Sequence, residues 1–113
     1  MIIVAVVFEF SPGGFDKIKE EILDAVNNSR KEPGAQIYDW AIDITNENRA
    51  TIFEVWDDQD DLDKHFTYPY MDKLVEVLSQ ASIRGDIKDY SAEIYDVSGK
   101  RDMGFVLPEP ENN

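Results

Sequence analysis

The 113-residue chain contains one histidine. It lies in WDDQDDLDKHFTYPYMDKLVEVL, residues 56–78, between a tryptophan and a tyrosine-proline-tyrosine step. Imidazole is the side chain that titrates near neutrality without special help, and at an ordinary pKa of ~6.5 it is mostly neutral at pH 7 and able to accept a proton. His65 is therefore a candidate general base. Trp56 offers a flat apolar surface for an aromatic ring, and the hydroxyls of Tyr70 and Tyr38 could hydrogen-bond a substrate's oxygens. Each also has a plain structural reading: an inward histidine packs, a strand-end indole fills volume, and tyrosine hydroxyls anchor helix to sheet.

Other chemistries find less support. There is no cysteine, which removes disulfides, thiolate metal sites and cysteine nucleophiles. The run DDQDDLD suggests calcium, but an EF-hand loop needs glycine at its sixth place and glutamate at its twelfth. From Asp57 those places hold Leu62 and Tyr68, and from Asp58 they hold Asp63 and Pro69. The run instead suits a helix N-terminus, where carboxylates meet free N–H groups. Asp39 and Asp43 share a strand face and read as a solvated or interface pair. No glycine-rich phosphate loop, Ser-His-Asp order or multi-histidine cluster is visible, so no metal or other cofactor is expected.

The elements that would position these side chains follow from hydrophobic periodicity. Residues 2–10 are apolar in both alternating sets, with Ile2, Val4, Val6 and Phe8 in one and Ile3, Ala5 and Val7 in the other, so this strand needs cover on both faces. SPGG breaks it, and Phe15, Ile18, Ile22 and Val26 recur at helical spacing until Pro33 and Gly34 stop the chain. AQIYDWAIDI alternates as a second strand with Tyr38, Trp40, Ile42 and Ile44 on one face, and TNEN turns it into RATIFEVW, giving an antiparallel hairpin. In the short helix after Trp56, Leu62, His65 and Phe66 fall at i, i+3, i+4 and should face inward together. Pro69 can open a further helix with Met71, Leu74, Val75 and Leu78 as its buried stripe, and IKDYSAEIYDV reads as a fourth strand.

Strand, helix, strand, strand, helix, strand is the split βαβ order of the α+β, ferredoxin-like subunit, a four-stranded antiparallel sheet with its helices on one face. The bare face then calls for a partner, and a second copy of the sheet is the economical one. Residues 1–97 are expected to form this domain and residues 98–113 a tail, disordered at its end, whose MGFVL segment could lie against a partner subunit. The formal charge of −13 argues against nucleic acid and anionic membrane surfaces, because both are bound by basic side chains. MIIVAVVFEF lacks the basic leader and cleavage site of a signal peptide and falls short of the ~20 residues that span a bilayer, so a cytoplasmic location is expected.

Three segments in order, Glu32-Pro33-Gly34 with Tyr38-Asp39, then Phe53-Glu54-Val55-Trp56, then Leu62-Asp63-Lys64-His65 leading to Pro69, resemble the antibiotic biosynthesis monooxygenase family of small dimeric α+β barrel proteins. The resemblance runs from about residue 2 to 97. It implies two ferredoxin-like subunits packed sheet to sheet, each with a substrate pocket between its sheet and its own helices. It further implies cofactor-independent oxidation of a small aromatic, phenolic or quinol-type molecule, in which the deprotonated substrate reacts directly with O₂. On that reading His65 is the base, Trp56 packs on the ring, Tyr70 and Tyr38 hydrogen-bond its oxygens, and Phe66 and Phe8 help to line the pocket. The chain differs from particular relatives. Quinol- and sugar-phosphate-processing members often carry a second histidine where Tyr70 stands, anthrone oxidisers an asparagine at Ile52, and haem degraders a tryptophan at His65. The alternatives are a non-catalytic ligand-binding or stress-associated dimer, and an isomerase of a small polar metabolite that would use Arg84.

Overall fold

Alternation along the first strand decides which face becomes the core. In the computed structural model, which describes residues 1–111, β1 (Ile2–Phe10) buries Ile2, Val4, Val6, Phe8 and Phe10, while Ile3, Ala5 and Val7 on the other face are only half-buried. The elements that follow are α1 (Lys19–Ser29), β2 (Ala35–Asp43), β3 (Asn46–Trp56), α2 (Gln59–His65), α3 (Pro69–Ile83) and β4 (Ile87–Asp96). The strands form one antiparallel sheet in the order β2-β3-β1-β4. This is the expected ferredoxin-like arrangement, with β1 and β3 in the centre.

Register places side chains in rows on the helix-covered face. One row runs Tyr38, Glu54, Val4, Ile94, and the next runs Trp40, Ile52, Val6, Ala92. The β2–β3 hairpin closes tightly at Ile44 and Thr45, where Asp43 Oδ1 accepts hydrogen bonds from both the backbone N–H and the hydroxyl of Thr45. Asp43 also pairs with Arg49, and Asp39 with Arg30, each at 2.9 Å. These aspartates are thus surface ion pairs, and on β2 they sit opposite the inward face.

Three details depart from the periodicity reading. Phe15 and Ile18 keep helical spacing yet precede the helix. Residues 12–18 form turns, with the Ile18 N–H bonded to the Phe15 carbonyl, and α1 starts only at Lys19. An i to i+3 turn keeps two residues on one side much as a helix does, so both still pack on the core. Phe66 does not join Leu62 and His65 inside. It lies just past the end of α2, still in the right-handed helical region, and is 52% exposed because it borders the open cavity between α3 and the sheet. On α3, Met71, Leu74 and Ala81 are buried but Val75 is half-exposed, since the helix stands off from the β4 side of the sheet.

Helix ends follow local chemistry. The Asp58 carboxylate accepts the Asp61 N–H at 2.9 Å and caps α2, and Asp60 and Asp61 fill the first turn near the positive end of the helix dipole. Pro69 opens α3, where a missing N–H costs nothing. Residues 98–111 form no helix or strand, and Met103, Phe105, Val106 and Leu107 within them are exposed. The end of the tail expected to be disordered includes Asn112 and Asn113, which lie outside the described residues.

Gly34 links α1 to β2 at φ +84°, and a Cβ there would come within 2.1 Å of Asp61 Oδ2. Its carbonyl accepts the Asp57 N–H at 2.9 Å. Both a left-handed backbone and close approach therefore require glycine. Gly34→Ala should destabilise the fold by about 1–3 kcal/mol, measured by denaturant titration. A melt unchanged from wild type would show that the link relaxes freely.

Candidate active site

The inward phase of β3 reads Ala50, Ile52, Glu54, Trp56, which puts a carboxylate into an otherwise apolar row. Glu54 is 5% exposed, and its Oε1 accepts the Trp56 indole N–H at 2.9 Å. The short α2 lays His65 over this end of the strand. Its ring centroid is 4.7 Å from that of Trp56 and 5.4 Å from that of Tyr38, and the residue is fully buried. His65 Nδ1 lies 2.8 Å from Oε2 of Glu32, on the link between α1 and β2. Tyr70, one residue into α3, donates its hydroxyl to the same Glu32 oxygen.

These contacts fix the imidazole. With Nδ1–H donating to the Glu32 carboxylate, Nε2 is the remaining ring nitrogen. It is buried with no hydrogen-bond partner among the described residues and lies 4.0 Å from Glu54 Oε1. Tyr70, Glu32, His65, Glu54 and Trp56 thus form one chain of polar groups between the helices and the sheet. No group of His, Cys, Asp and Glu suited to a metal ion occurs among the described residues.

Burial sets the protonation of the chain. Glu54 is pushed up from its ordinary value to about 7, chiefly because loss of water disfavours the carboxylate; the Trp56 N–H opposes the shift and the Glu32 charge adds to it. Tyr38 is pushed up to about 12 by burial first and by the Glu54 charge second, so it remains an O–H donor at neutral pH. Tyr70 is raised further still, by loss of water and then by the Glu32 carboxylate that its hydroxyl contacts.

Beside this chain a cavity of about 590 Å³ opens between α3 and the helix face of the sheet. Its sheet wall includes Val6, Phe8 and Ile52, and Phe8 stacks on Trp40 at 5.7 Å. Of the residues expected at the site, Tyr38, Phe66 and Phe8 line the cavity; His65, Trp56 and Tyr70 do not, the first two lying against Glu54 and Tyr70 against Glu32. Glu54 is the carboxylate that joins the buried chain to the cavity. Glu93 borders the cavity on β4, but register pairs it with Ala5 on the other face of the sheet, where its carboxylate accepts the Tyr95 hydroxyl at 3.1 Å. No lysine or arginine among the described residues lines the cavity.

Sequence reasoning passed over Glu54, Glu32 and Trp40 as site residues. For Glu54 a signal existed, since a charged residue in the apolar phase of a central strand requires buried partners. Glu32 gave no comparable sign, because it sits in a connection where charge is ordinary.

The Glu54 shift has a consequence for stability. An acid whose folded pKa lies above its unfolded value binds more protons in the native state between the two values, so stability falls as pH rises through that window. For Glu54 the window runs from about 4.5 to about 7. Glu54→Gln cannot ionise and should gain stability relative to wild type between pH 5 and pH 8, by on the order of 2–3 kcal/mol. Paired denaturant titrations at the two pH values check this, and a constant difference would remove Glu54 as the titrating group.

Comparison with known proteins agrees with this architecture. Over 91% of this chain and 98% of the other, the fold superposes with a TM-score of 0.78 on a candidate antibiotic biosynthesis monooxygenase of Deinococcus radiodurans, at 16% identity. A similarly described protein of Nitrosomonas europaea gives 0.76 at 15% identity over 88% of this chain and all of its own. A curated relative, an uncharacterized protein of Synechocystis, is 41% identical over 51 residues, covering 45% of this chain and 35% of its own length. The chain thus spans about a third of that relative. The profile described as antibiotic biosynthesis monooxygenase matches residues 1–77, more than half of the chain, and the protein belongs to that family.

Proposed function

We propose that the protein is a homodimeric, cofactor-independent monooxygenase that oxidises a small aromatic, phenolic or quinol-type molecule with O₂. The observation that carries this reading is an apolar cavity with a buried, near-neutral carboxylate in its wall and no cationic side chain. An uncharged ring fits such a site. A phosphate or carboxylate substrate would lack a counter-charge, and Arg84, the cation an isomerase would need, is tied to Asp86 at 2.9 Å and lies outside the cavity wall.

The chemistry asks little of the protein. For an activated ring CH₂, one C–H proton passes to a base and the electron pair stays on the substrate. The carbanion reduces O₂ and forms a C–O bond, and loss of the second hydrogen with O–O cleavage yields a carbonyl and one water. Oxidation of the CH₂ carbon to a carbonyl releases the four electrons that O₂ takes up, so no external reductant is needed. Tyr38, an O–H donor in the wall, would stabilise the enolate or phenolate oxygen, and Phe8 and Phe66 would flank the ring. His65 and Trp56 support the acid–base group from behind.

One observation favours a ligand-binding dimer instead. Toward β4 the cavity is bordered by exposed residues, with Tyr90 at 68% and Ile94 at 56%, so water has access on that side. Oxygen uptake over a panel of anthrones, catechols and hydroquinones separates the two readings. Wild type should consume O₂ with at least one class, and Val75→Trp, which fills the cavity from a half-exposed position, should lower that rate at least ~10-fold while leaving the melt unchanged. Inertness across the panel with retained aromatic binding would favour the ligand-binding dimer.

The dimer is proposed through the open sheet face, where Ile37, Phe53 and Tyr95 are each between 38% and 49% exposed beside half-buried Ile3 and Val7. Sedimentation at micromolar concentration should give twice the chain mass. Phe53→Glu, which places a charge at the centre of that face, should shift the protein to a monomer, and a wild-type monomer would sink the pairing.

A further inference from the structure

We infer that Glu54 takes the substrate's proton and that His65, held by Glu32, is the residue that positions and tunes it. This deepens the proposed function and rests on it, in that a proton acceptor matters only if the cavity ionises its ligand. Access is the first argument. His65 is fully buried, absent from the cavity wall, and covered by Trp56 at 4.7 Å, whereas the Glu54 carboxylate reaches both the cavity and the imidazole. Its Oε1 is taken by the Trp56 N–H and faces Nε2, which leaves Oε2 to meet a substrate.

The second argument is charge. Two buried carboxylates flank one imidazole, whose Nδ1 is committed to Glu32. When Glu54 is ionised, a proton on Nε2 would make an imidazolium between two carboxylates and offset one of the two charges. When Glu54 is protonated, Nε2 can be neutral. The Glu54–His65 pair can therefore hold one proton in either place at the same net charge of −1 for the three groups, with the remaining charge on Glu32 met by Nδ1–H and the Tyr70 hydroxyl, and can return the proton to the reduced oxygen when water forms. Tyr70, by donating to Glu32, keeps that carboxylate an acceptor and so keeps Nε2 turned toward Glu54. Five groups bear on Glu54: Trp56 from its own strand, Tyr38 from β2, His65 from α2, Glu32 from the α1–β2 link, and Tyr70 from α3 through Glu32. From β4, the Glu93 carboxylate lies on the open sheet face and accepts the Tyr95 hydroxyl.

The substrate step is a plain transfer. The C–H or O–H bond breaks, its electron pair stays on the substrate, and an O–H bond forms at Glu54 Oε2. His65 exchanges no proton with the substrate directly.

Infrared pH titration of the ligand-free protein reads the group without any turnover. The C=O stretch of a protonated carboxyl should disappear through neutral pH in wild type, be absent in Glu54→Gln, and titrate at a shifted midpoint in His65→Gln and in Tyr70→Phe. A merely structural histidine would change the melt and leave that midpoint alone. With 4-nitrocatechol as probe, wild type should bind it as the phenolate below the free compound's own pKa, and Glu54→Gln should bind it neutral. On any aromatic that supports O₂ uptake, Glu54→Gln should lower kcat ~10²–10⁴-fold with KM within a few-fold. His65→Gln should lower it less and move the acid limb of the pH profile. A neutral-range carboxyl band that survives Glu54→Gln, or none in wild type, overturns the assignment, as does full activity in Glu54→Gln. Glu54-dependent titration and probe ionisation without O₂ uptake would leave the assignment standing and remove the oxygenase reading.

Discussion

One imidazole between two buried carboxylates is the interaction on which the site depends. Glu32, Glu54 and His65 are each at least nine-tenths hidden from solvent, and ionisable groups so placed are costly unless they are paired and hydrogen-bonded. Pairing forces geometry. Glu32 must turn in from the α1–β2 link to meet His65 and Tyr70, which pins α2 and the start of α3 to one point. Trp56 must aim its N–H at Glu54, which fixes the indole against the imidazole. Removing one partner would leave a buried charge without compensation, so the same contacts that poise the carboxylate also hold three connections of the fold.

The cavity arises from the opposite tendency, incomplete packing. At the end of the sheet near Trp56, α2 and the start of α3 pack on one another and on the strands, while the rest of α3 stands away from the sheet and leaves about 590 Å³ lined by residues of all four strands. Phe66 and Val75 are exposed because they border that space. A charged residue at its inner end and aromatic residues along its sheet wall give the space a polarity gradient, with a hydrogen-bonding end at Tyr38 and Glu54 and an apolar body at Phe8, Ile52 and Leu74. Such a gradient orients a ring that carries one oxygen.

Acidity is concentrated elsewhere. The run from Asp57 to Asp63 serves the start of α2 through the Asp58 cap, and Asp39 and Asp43 are held by arginines on the surface. The two carboxylates with a part in the candidate chemistry are glutamates removed from that run. Net charge is therefore a statement about solubility and unsuitable partners, and it carries no information about the site.

Sequence by itself determined the order of strands and helices, the β2–β3 hairpin, the capped start of α2, the inward turn of Leu62 and His65, and the resemblance to the monooxygenase family. These are local or periodic properties, written in residues a few positions apart. Tertiary structure alone decided that Phe66 leaves the inward face, that α1 begins at Lys19, and that His65 stands behind Glu54 instead of in the cavity wall. The reason is separation along the chain. His65 meets Glu32 across 33 residues and Tyr70 meets it across 38. Spacing can say which way a side chain points, but which group arrives opposite it depends on how the helices settle on the sheet.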